Sequence, residues 1–161
     1  MSGLDALHLL EIAVRPALRA MGTDYSTTAA EQLVLGTAAV ESNFVWLRQH
    51  GHGPALGLWQ MEPFTFNDLV KRYPAWMMRE GADVEVPCEP SVVAWNLRLG
   101  SIMCRLKYRD DPHPLPEPGD VAALADTWKR CYNSRLGAGK PEDFVRAWEQ
   151  FIASRRLEMW P

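Results

Sequence analysis

Cysteines are few in this sequence, and they do not cluster. The three present are Cys88, Cys104 and Cys131, and no two of them stand in a CxxC pair. An odd number of cysteines without that spacing indicates neither a disulfide framework nor a zinc knuckle. We therefore expect reduced, partly buried thiols and no metal site built from them.

Long apolar runs and clusters of basic residues are missing as well. No stretch approaches the roughly 18 to 20 apolar residues that span a membrane, so we expect no stable membrane insertion. The 17 Lys and Arg residues are scattered and the net charge is −3, whereas nucleic-acid binding needs clustered positive charge. We therefore expect no nucleic-acid partner. Asp5 and Glu11 interrupt the first apolar segment, so we expect no secretory signal peptide, and a chain that stays in the cytoplasm unless something else exports it.

Hydrophobic residues make up 47% of the 161-residue chain, enough for a compact domain that buries about 70% of its unfolded surface. The sequence has no internal repeat and no shift in composition, so residues 1–161 are predicted to form a single domain. Strand patterns are poor throughout. The fold class that we predict is mainly α, with at most a short β-hairpin within residues 44–59.

Helical spacing of apolar residues, together with capping residues, predicts where the helices lie. Residues 4–21 form the first, and Pro16 is expected to kink or divide it. Thr28 and Glu31 fit a capping box, which starts a helix that ends near Glu41. Four later helices are predicted to start at capping or proline positions: Pro63, Ser91, Asp120 and Pro141.

Two segments rich in proline are predicted to lie between helices. Residues 80–90 are acidic and interrupted by proline, which indicates a surface excursion. Residues 111–119 contain four prolines, and we therefore expect them to form an extended link.

Glu41 is the first residue whose setting points to chemistry. It follows the small and apolar run "LGTAAV" near the end of a predicted helix, so we expect its carboxyl group to be at least partly buried. Burial disfavours the charged form and raises the pKa of a carboxyl group. A glutamic acid with a raised pKa donates a proton near neutral pH, as cleavage of a glycosidic bond requires. The alternative is a glutamate that caps the helix or forms a salt bridge.

Short motifs occur in a defined order between residues 38 and 137: "AAVESNF", "GLWQMEP", "WNLRLGSIMCRLKY" and "ALADTWKRCYNSRLG". Together they resemble the Glu-Ser, Gly-Leu-Met-Gln, Asn-x-x-x-Gly and Ala-x-x-Tyr-Asn-x-Gly signatures of the soluble lytic transglycosylase family, within the lysozyme-like superfamily. The resemblance implies a lysozyme-like helical domain that cleaves the β-1,4 bond between MurNAc and GlcNAc in peptidoglycan. We expect a monomer that binds glycan strands and needs no cofactor.

The resemblance also assigns residues to the site. Glu41 matches the single catalytic acid/base of the family, and Ser42 matches the serine that follows it. Gln60 matches the glutamine that lines the cleft beside the scissile sugar. Tyr132 and Asn133 match a tyrosine and an amide near the catalytic carboxyl group. These four neighbours of Glu41 are expected at the substrate, although a structural role is the alternative for Ser42.

Two tryptophans and two histidines lie close to the motifs. Trp46 and Trp59 each offer an apolar face and a donor to a sugar ring. Between sugar contact and the core, a place in the core is favoured for each indole, and we carry Trp59 as a candidate substrate-binding residue. His50 and His52 flank a loop, and because no further ligands stand at suitable spacing, we expect no metal there.

The sequence departs from the family at three places. Trp59 stands where a methionine is usual, and the stretch "HGHGPAL" lacks the family's serine. The segment from Tyr132 through Arg135 to Gly137 has two extra residues before its glycine. These differences bear on the sugar contacts that the resemblance implies and leave the position of Glu41 unaffected.

Glu62 decides between two reactions. It stands two residues after Gln60, where goose-type lysozymes of the same superfamily carry an aspartate. As a second catalytic carboxylate it would hold a water and make the enzyme a hydrolysing muramidase. Without it, the C6 hydroxyl of the sugar attacks and leaves an anhydro end, as in lytic transglycosylases, which the closest motif match favours. The alternative to a catalytic role is a charge that starts the following helix.

A non-catalytic protein that keeps the fold and binds glycan is the rival from another class, for example a structural part of a phage tail or secretion apparatus. Intact Glu41, Gln60 and Tyr132 favour an enzyme. The compact length and the missing signal peptide lead us to expect a phage lysis or virion protein, or a cell-wall enzyme exported by a dedicated machine.

Overall fold

Helix α3, Thr28–Ser42, runs through the centre of the fold in the computed structural model, which describes residues 3–134 and 136–161. Its N-cap is Thr27, whose hydroxyl accepts a hydrogen bond from the backbone N–H of Ala30 at 3.2 Å. The predicted capping box of Thr28 and Glu31 is therefore wrong by one residue. Every residue in the range 29–39 is buried, so this helix has protein on all sides.

Glu31 forms a buried ion pair and does not take part in the predicted capping box. Its carboxylate is buried and accepts hydrogen bonds from the Arg15 guanidinium, at 2.9 to 3.2 Å, and from the Trp160 indole at 2.8 Å. Full pairing of a buried charge offsets the cost of removing it from water. The contact ties α3 to both ends of the chain.

The first helix is divided, as Pro16 predicts. Its parts are α1, Ala6–Leu9, a π-helical turn, Leu10–Val14, and α2, Arg15–Met21. Proline has no N–H to donate to the carbonyl four residues earlier. The Ile12 carbonyl at that position accepts a hydrogen bond from Arg98 Nε at 3.1 Å instead, so a side chain supplies the missing donor.

The remaining helices alternate with short irregular links. Three of them begin where the sequence predicts, and Asp120 caps its helix by accepting from Ala123 N at 3.0 Å. A π-helical segment, Lys129–Asn133, continues the helix that follows Asp120. The bounds of these helices are α4 Pro63–Arg72, α5 Ala75–Ala82, α6 Leu97–Arg109, α7 Val121–Trp128, α8 Pro141–Phe151 and α9 Arg156–Met159.

The predicted start of a long helix at Ser91 is wrong. A 3-10 turn, Pro90–Ala94, comes first, and Asn96 caps α6 by accepting from Leu99 N at 2.9 Å. The same amide donates to the Ala82 carbonyl at 2.9 Å, a tertiary contact that a local cap at Ser91 could not supply. The surface excursion predicted for residues 80–90 is also shortened, because its first residues belong to α5.

The helices share one hydrophobic core that extends from Ala6 to Met159. Helix α3 packs against α6, α7 and α8, while α2, α5 and α6 pack on one another. The predicted mainly α class is confirmed. Residues 3–134 and 136–161 contain two isolated β-bridges, Arg48 with Leu56 and Leu56 with Met61, but no β-strand. Within the same residues, no helix has the length and apolar character needed to cross a membrane.

Candidate functional site

A cleft of about 640 Å³ opens at the C-terminal end of α3. Its walls come from that helix, from the loop before α4, from α6 and from the segment after α7. Seven of the residues singled out from the sequence line it together: Glu41, Trp46, His50, Gln60, Glu62, Tyr132 and Asn133. The chain therefore brings into one place side chains that are up to about ninety positions apart in the sequence.

Glu41 lies in the last turn of α3, just before Asn43 ends the helix in the left-handed conformation. Its Oε1 accepts a hydrogen bond from the Trp128 indole Nε1 at 2.9 Å. Burial raises the pKa of the Glu41 carboxyl, while the Trp128 hydrogen bond and the positive charge of Lys107 oppose that rise. Burial is the largest of these effects, so the site holds a carboxylic acid suited to donate a proton into the cleft.

Lys107 is the cation of the cleft wall. Its Nζ donates to the Tyr132 carbonyl at 2.8 Å and lies 4.0 Å from the centre of the Tyr132 ring. Burial lowers the pKa of the Lys107 ammonium, and the negative groups around it, including Glu41 and Glu62, act in the opposite direction. The hydrogen bond and the ring hold the charge in one place, where it favours the ionised form of Glu41.

Gln60 stands in a tight turn whose backbone is unusual. Its φ is 46°, in the left-handed region that residues other than glycine seldom adopt. The side-chain Nε2 donates to the Gly57 carbonyl at 2.8 Å and to the Trp46 carbonyl at 3.4 Å. Among the described residues nothing donates to Gln60 Oε1, which leaves an acceptor at the cleft wall for a ligand hydroxyl or amide.

Tyr132 lines the cleft with its ring, but its hydroxyl is already used. The hydroxyl donates to the Trp59 carbonyl at 2.7 Å, and burial holds the Tyr132 pKa well above its ordinary value. The ring stacks on Tyr108 with centroids 5.5 Å apart. Tyr132 therefore supports the turn that carries Gln60, and its phenol oxygen is not free to bind a substrate.

Asn133 and Glu62 both line the cleft, and their side chains differ in how far they are already used. Asn133 Oδ1 accepts from Lys129 Nζ at 2.8 Å, and the same ammonium donates to the Gly137 carbonyl at 2.7 Å. Glu62 is exposed and occupies the N-cap position of α4, but its side chain makes no capping hydrogen bond. Its carboxylate is therefore available to the cleft. Arg135 of the extended motif lies outside the described residues.

The structure corrects the assignment of two residues to the substrate. Ser42 is buried, and its hydroxyl donates to the Ala38 carbonyl at 2.9 Å. Trp59 is 1% exposed, and its indole donates to the Val34 carbonyl at 2.9 Å. Both side chains belong to the core. Gly100 makes room for the Trp59 ring, since a Cβ there would lie 2.6 Å from it.

The core position favoured for Trp46 is wrong. It is 44% exposed and lines the cleft. His50 lines the cleft as well, with its ring 5.6 Å from the Trp46 ring and nearly perpendicular to it. His52 is exposed elsewhere on the loop. In the described part of the chain, no three or more His, Cys, Asp or Glu side chains are grouped to hold a metal ion.

Two residues that act on Glu41 were not predicted. Lys107 lies on α6 between the buried Leu106 and Tyr108, and Arg105 and Arg109 stand two positions to either side of it, so the sequence gives no signal that singles it out. Trp128 lies in the core. Its position four residues before Tyr132 on a helical segment places both on one face, which links it to the motif.

Comparisons with known proteins found no match: no family model, no curated protein and no solved structure is similar to this chain. The likeness to lytic transglycosylases therefore stays a prediction that rests on the ordered motifs. What the chain does has to be inferred from the chemistry of the cleft.

Proposed function

We propose that this protein cleaves the β-1,4 bond between MurNAc and GlcNAc in peptidoglycan, with Glu41 as acid and then base. The observation that carries the proposal is the setting of Glu41. A partly buried carboxyl group with a raised pKa opens into a polar cleft that also contains Gln60, Lys107 and Asn133. A glycosidic bond breaks readily only when its leaving oxygen is protonated, and such a carboxyl group can supply the proton.

The second half of the reaction uses the same residue. Once Glu41 has given up its proton, the carboxylate is stabilised by the Trp128 indole N–H and by the charge of Lys107. It then accepts a proton from the hydroxyl that attacks the sugar. In a lytic transglycosylase that hydroxyl is the C6 hydroxyl of the muramoyl residue itself, so a single carboxyl group suffices and no water enters the product.

The shape of the surface supports a polymeric substrate. A second groove of about 380 Å³ adjoins the cleft and shares Thr65 and Lys107 with it. Phe64 lines that second groove and is 83% exposed, while Trp46 is exposed in the cleft itself. The exposed aromatic rings of the cleft and of the adjoining groove offer apolar faces on which sugar rings stack. We propose glycan strands of the cell wall as the partner.

Hydrolysis is the second candidate, because Glu62 lines the same cleft and its carboxylate is not used as a helix cap. In that reaction Glu62 holds a water that attacks the sugar, and Glu41 remains the acid. We rank transglycosylase activity first because it needs only the one buried carboxyl group and because the motifs resemble a family with a single catalytic acid.

The products of digestion test these proposals. Purified peptidoglycan is digested with the wild-type protein and the muropeptides are analysed by mass spectrometry. Anhydro ends, lighter by one water molecule, are expected, whereas reducing ends would replace transglycosylase activity with hydrolysis. Absence of any cleavage by folded protein, with glycan binding retained, would show a non-catalytic binding protein.

The chain offers a matched control for Glu62. Glu89 is also exposed, also precedes a proline and also occupies an N-cap position without a side-chain capping bond, but it does not line the cleft. We expect Glu62→Gln and Glu89→Gln to behave alike if the enzyme is a transglycosylase. Loss of activity in Glu62→Gln alone would assign the water-holding role to Glu62.

A further inference from the structure

The two oxygens of the Glu41 carboxyl group lie in different surroundings. Oε1 accepts a hydrogen bond from the indole N–H of Trp128 at 2.9 Å, a partly buried contact with an indole that is itself buried. The side chain also lines the cleft, and within residues 3–134 and 136–161 no donor is bonded to Oε2. One oxygen is thus fixed by the protein interior, and the other is left for the cleft.

The indole itself is held firmly. Its ring packs against Phe144 of α8 with centroids 6.1 Å apart. Gly139 lies against its far edge, where a Cβ would come within 2.7 Å of the ring. A ring packed against Phe144 and held at its edge by Gly139 has little room to rotate, which keeps its N–H directed at Oε1.

We propose that Trp128 is a positioning residue, whose indole N–H holds Oε1 of Glu41 as the acceptor so that the transferable proton resides on Oε2 and faces the cleft. An indole N–H donates and never accepts. In a protonated carboxyl group the carbonyl oxygen is the better acceptor, so the oxygen bonded to the indole takes that role and the hydroxyl falls on the other. The inference rests on the proposed role of Glu41 as acid.

The surrounding charges set the direction of the effect. The charged groups that influence Glu41 and Lys107 come from three elements: Lys107 on α6, Glu62 before α4, and Glu41 itself on α3. Cys104, Tyr108 and Tyr132 also lie nearby, and burial raises the pKa of each, which keeps them neutral at pH 7. The indole N–H stabilises the carboxylate, so its removal raises the Glu41 pKa.

The test compares Trp128→Phe with Trp148→Phe. Trp148 is a matched control because it is also buried and also packs against Phe144, with 6.4 Å between centroids, but its indole does not donate to Glu41, whose hydrogen bond comes from Trp128. The pH profile of kcat/KM on soluble peptidoglycan fragments is measured for both. Trp128→Phe should move the alkaline limb to higher pH, and its plateau rate should fall about tenfold or more because the acid is no longer held in one orientation. Trp148→Phe should keep the wild-type limb.

A second measurement does not depend on activity. Carbon NMR of the labelled Glu41 carboxyl group reports its pKa directly, and we expect a higher value in Trp128→Phe than in the wild type. If Trp128→Phe fails to fold, benzothienylalanine at position 128 keeps the ring shape and replaces the N–H by sulfur, and the same rise is expected.

The outcomes separate this inference from the proposed function. An unchanged Glu41 pKa, or an unchanged alkaline limb and plateau rate in a folded variant without the N–H, would overturn the role of Trp128 even if Glu41 proves to be the acid. Conversely, a raised pKa in the variant together with no cleavage by the wild type would support the indole contact while the proposed enzyme activity fails.

Discussion

Glu41→Gln should destroy activity and stabilise the fold at the same time. The amide keeps the shape of the side chain and an oxygen that accepts the Trp128 N–H, but it cannot cycle a proton. Loss of general acid–base catalysis lowers turnover by at least about 10²-fold. The gain in stability arises because a partly buried carboxylate, whose pKa is raised by burial, is replaced by a neutral group.

The sign of the pH dependence follows from linkage. The pKa of Glu41 is higher in the folded chain than in the unfolded one, so the folded state holds its proton more tightly. The stability that this proton contributes is complete at acidic pH and is lost as the pH rises through the folded pKa. The amide of the variant does not titrate, so the variant does not lose this stability as the pH rises. Its gain in stability over the wild type should therefore be small at about pH 4 and largest above about pH 7, two conditions on either side of the range in which carboxyl groups titrate.

The size of the gain is about 0.5–2 kcal/mol at neutral pH, the range common for single stabilising changes at functional sites. For a chain of this length each kcal/mol corresponds to a rise of about 2–4 °C in Tm. Thermal melts followed by circular dichroism at acidic and alkaline pH, together with dye release from labelled cell walls, measure both quantities on one preparation.

Glu31→Gln is the matched control, because Glu31 is buried on the same helix but is paired with Arg15 and Trp160. Removal of its charge leaves the guanidinium without its carboxylate and should destabilise the protein by about 1–3 kcal/mol, with activity per folded molecule unchanged. A folded Glu41→Gln protein that clears cell walls at the wild-type rate would remove Glu41 from its role. A Tm that falls in Glu41→Gln as it does in Glu31→Gln would refute the reasoning on burial.

Three further substitutions test the cleft wall and its support. Gln60→Gly should lower turnover on cell walls and lower Tm only slightly, because glycine adopts a φ of 46° freely while the amide bonds to the Gly57 and Trp46 carbonyls are lost; normal turnover would make the amide dispensable. Tyr132→Phe should lower the free energy of unfolding by about 1–3 kcal/mol, measured by urea titration, since the buried Trp59 carbonyl loses its donor. Gly100→Ala should cost about 1–3 kcal/mol in the same assay, because the added methyl group meets the Trp59 ring, and an unchanged midpoint would show that the ring has room to move.

Much of the helical frame was predictable because its signals are local. The proline at the start of α4, the aspartate before α7 and the proline that opens α8 each act within one turn of their helix, so neighbouring residues decide the outcome. The start of α6 was missed for the opposite reason. Ser91 and Asn96 are both acceptable caps, and the hydrogen bond from Asn96 to Ala82, fourteen residues away, decides between them.

The site was likewise predictable in part, and the rest of it depends on the folded backbone. The position of Glu41 at the end of an apolar helix predicts its burial, and the motif order predicts that Gln60, Tyr132 and Asn133 line the cleft with it. Which of two neighbouring tryptophans faces outward could not be read from the sequence. The left-handed turn at Gln60 and the gap left by Gly100 direct Trp59 inward, and these are properties of the folded backbone.

Glu41 and the two residues that act on its carboxyl group, Lys107 and Trp128, belong to three helices far apart along the chain. This arrangement exists only while α7 and α8 stay docked on α3. An opening that detaches this C-terminal pair would admit water to Glu41, withdraw its N–H donor and let the carboxyl group ionise. Catalysis would then stop during a partial opening that leaves most helices intact. Heat inactivation should accordingly precede the loss of helical signal, so that activity reports whether the C-terminal helices are in place.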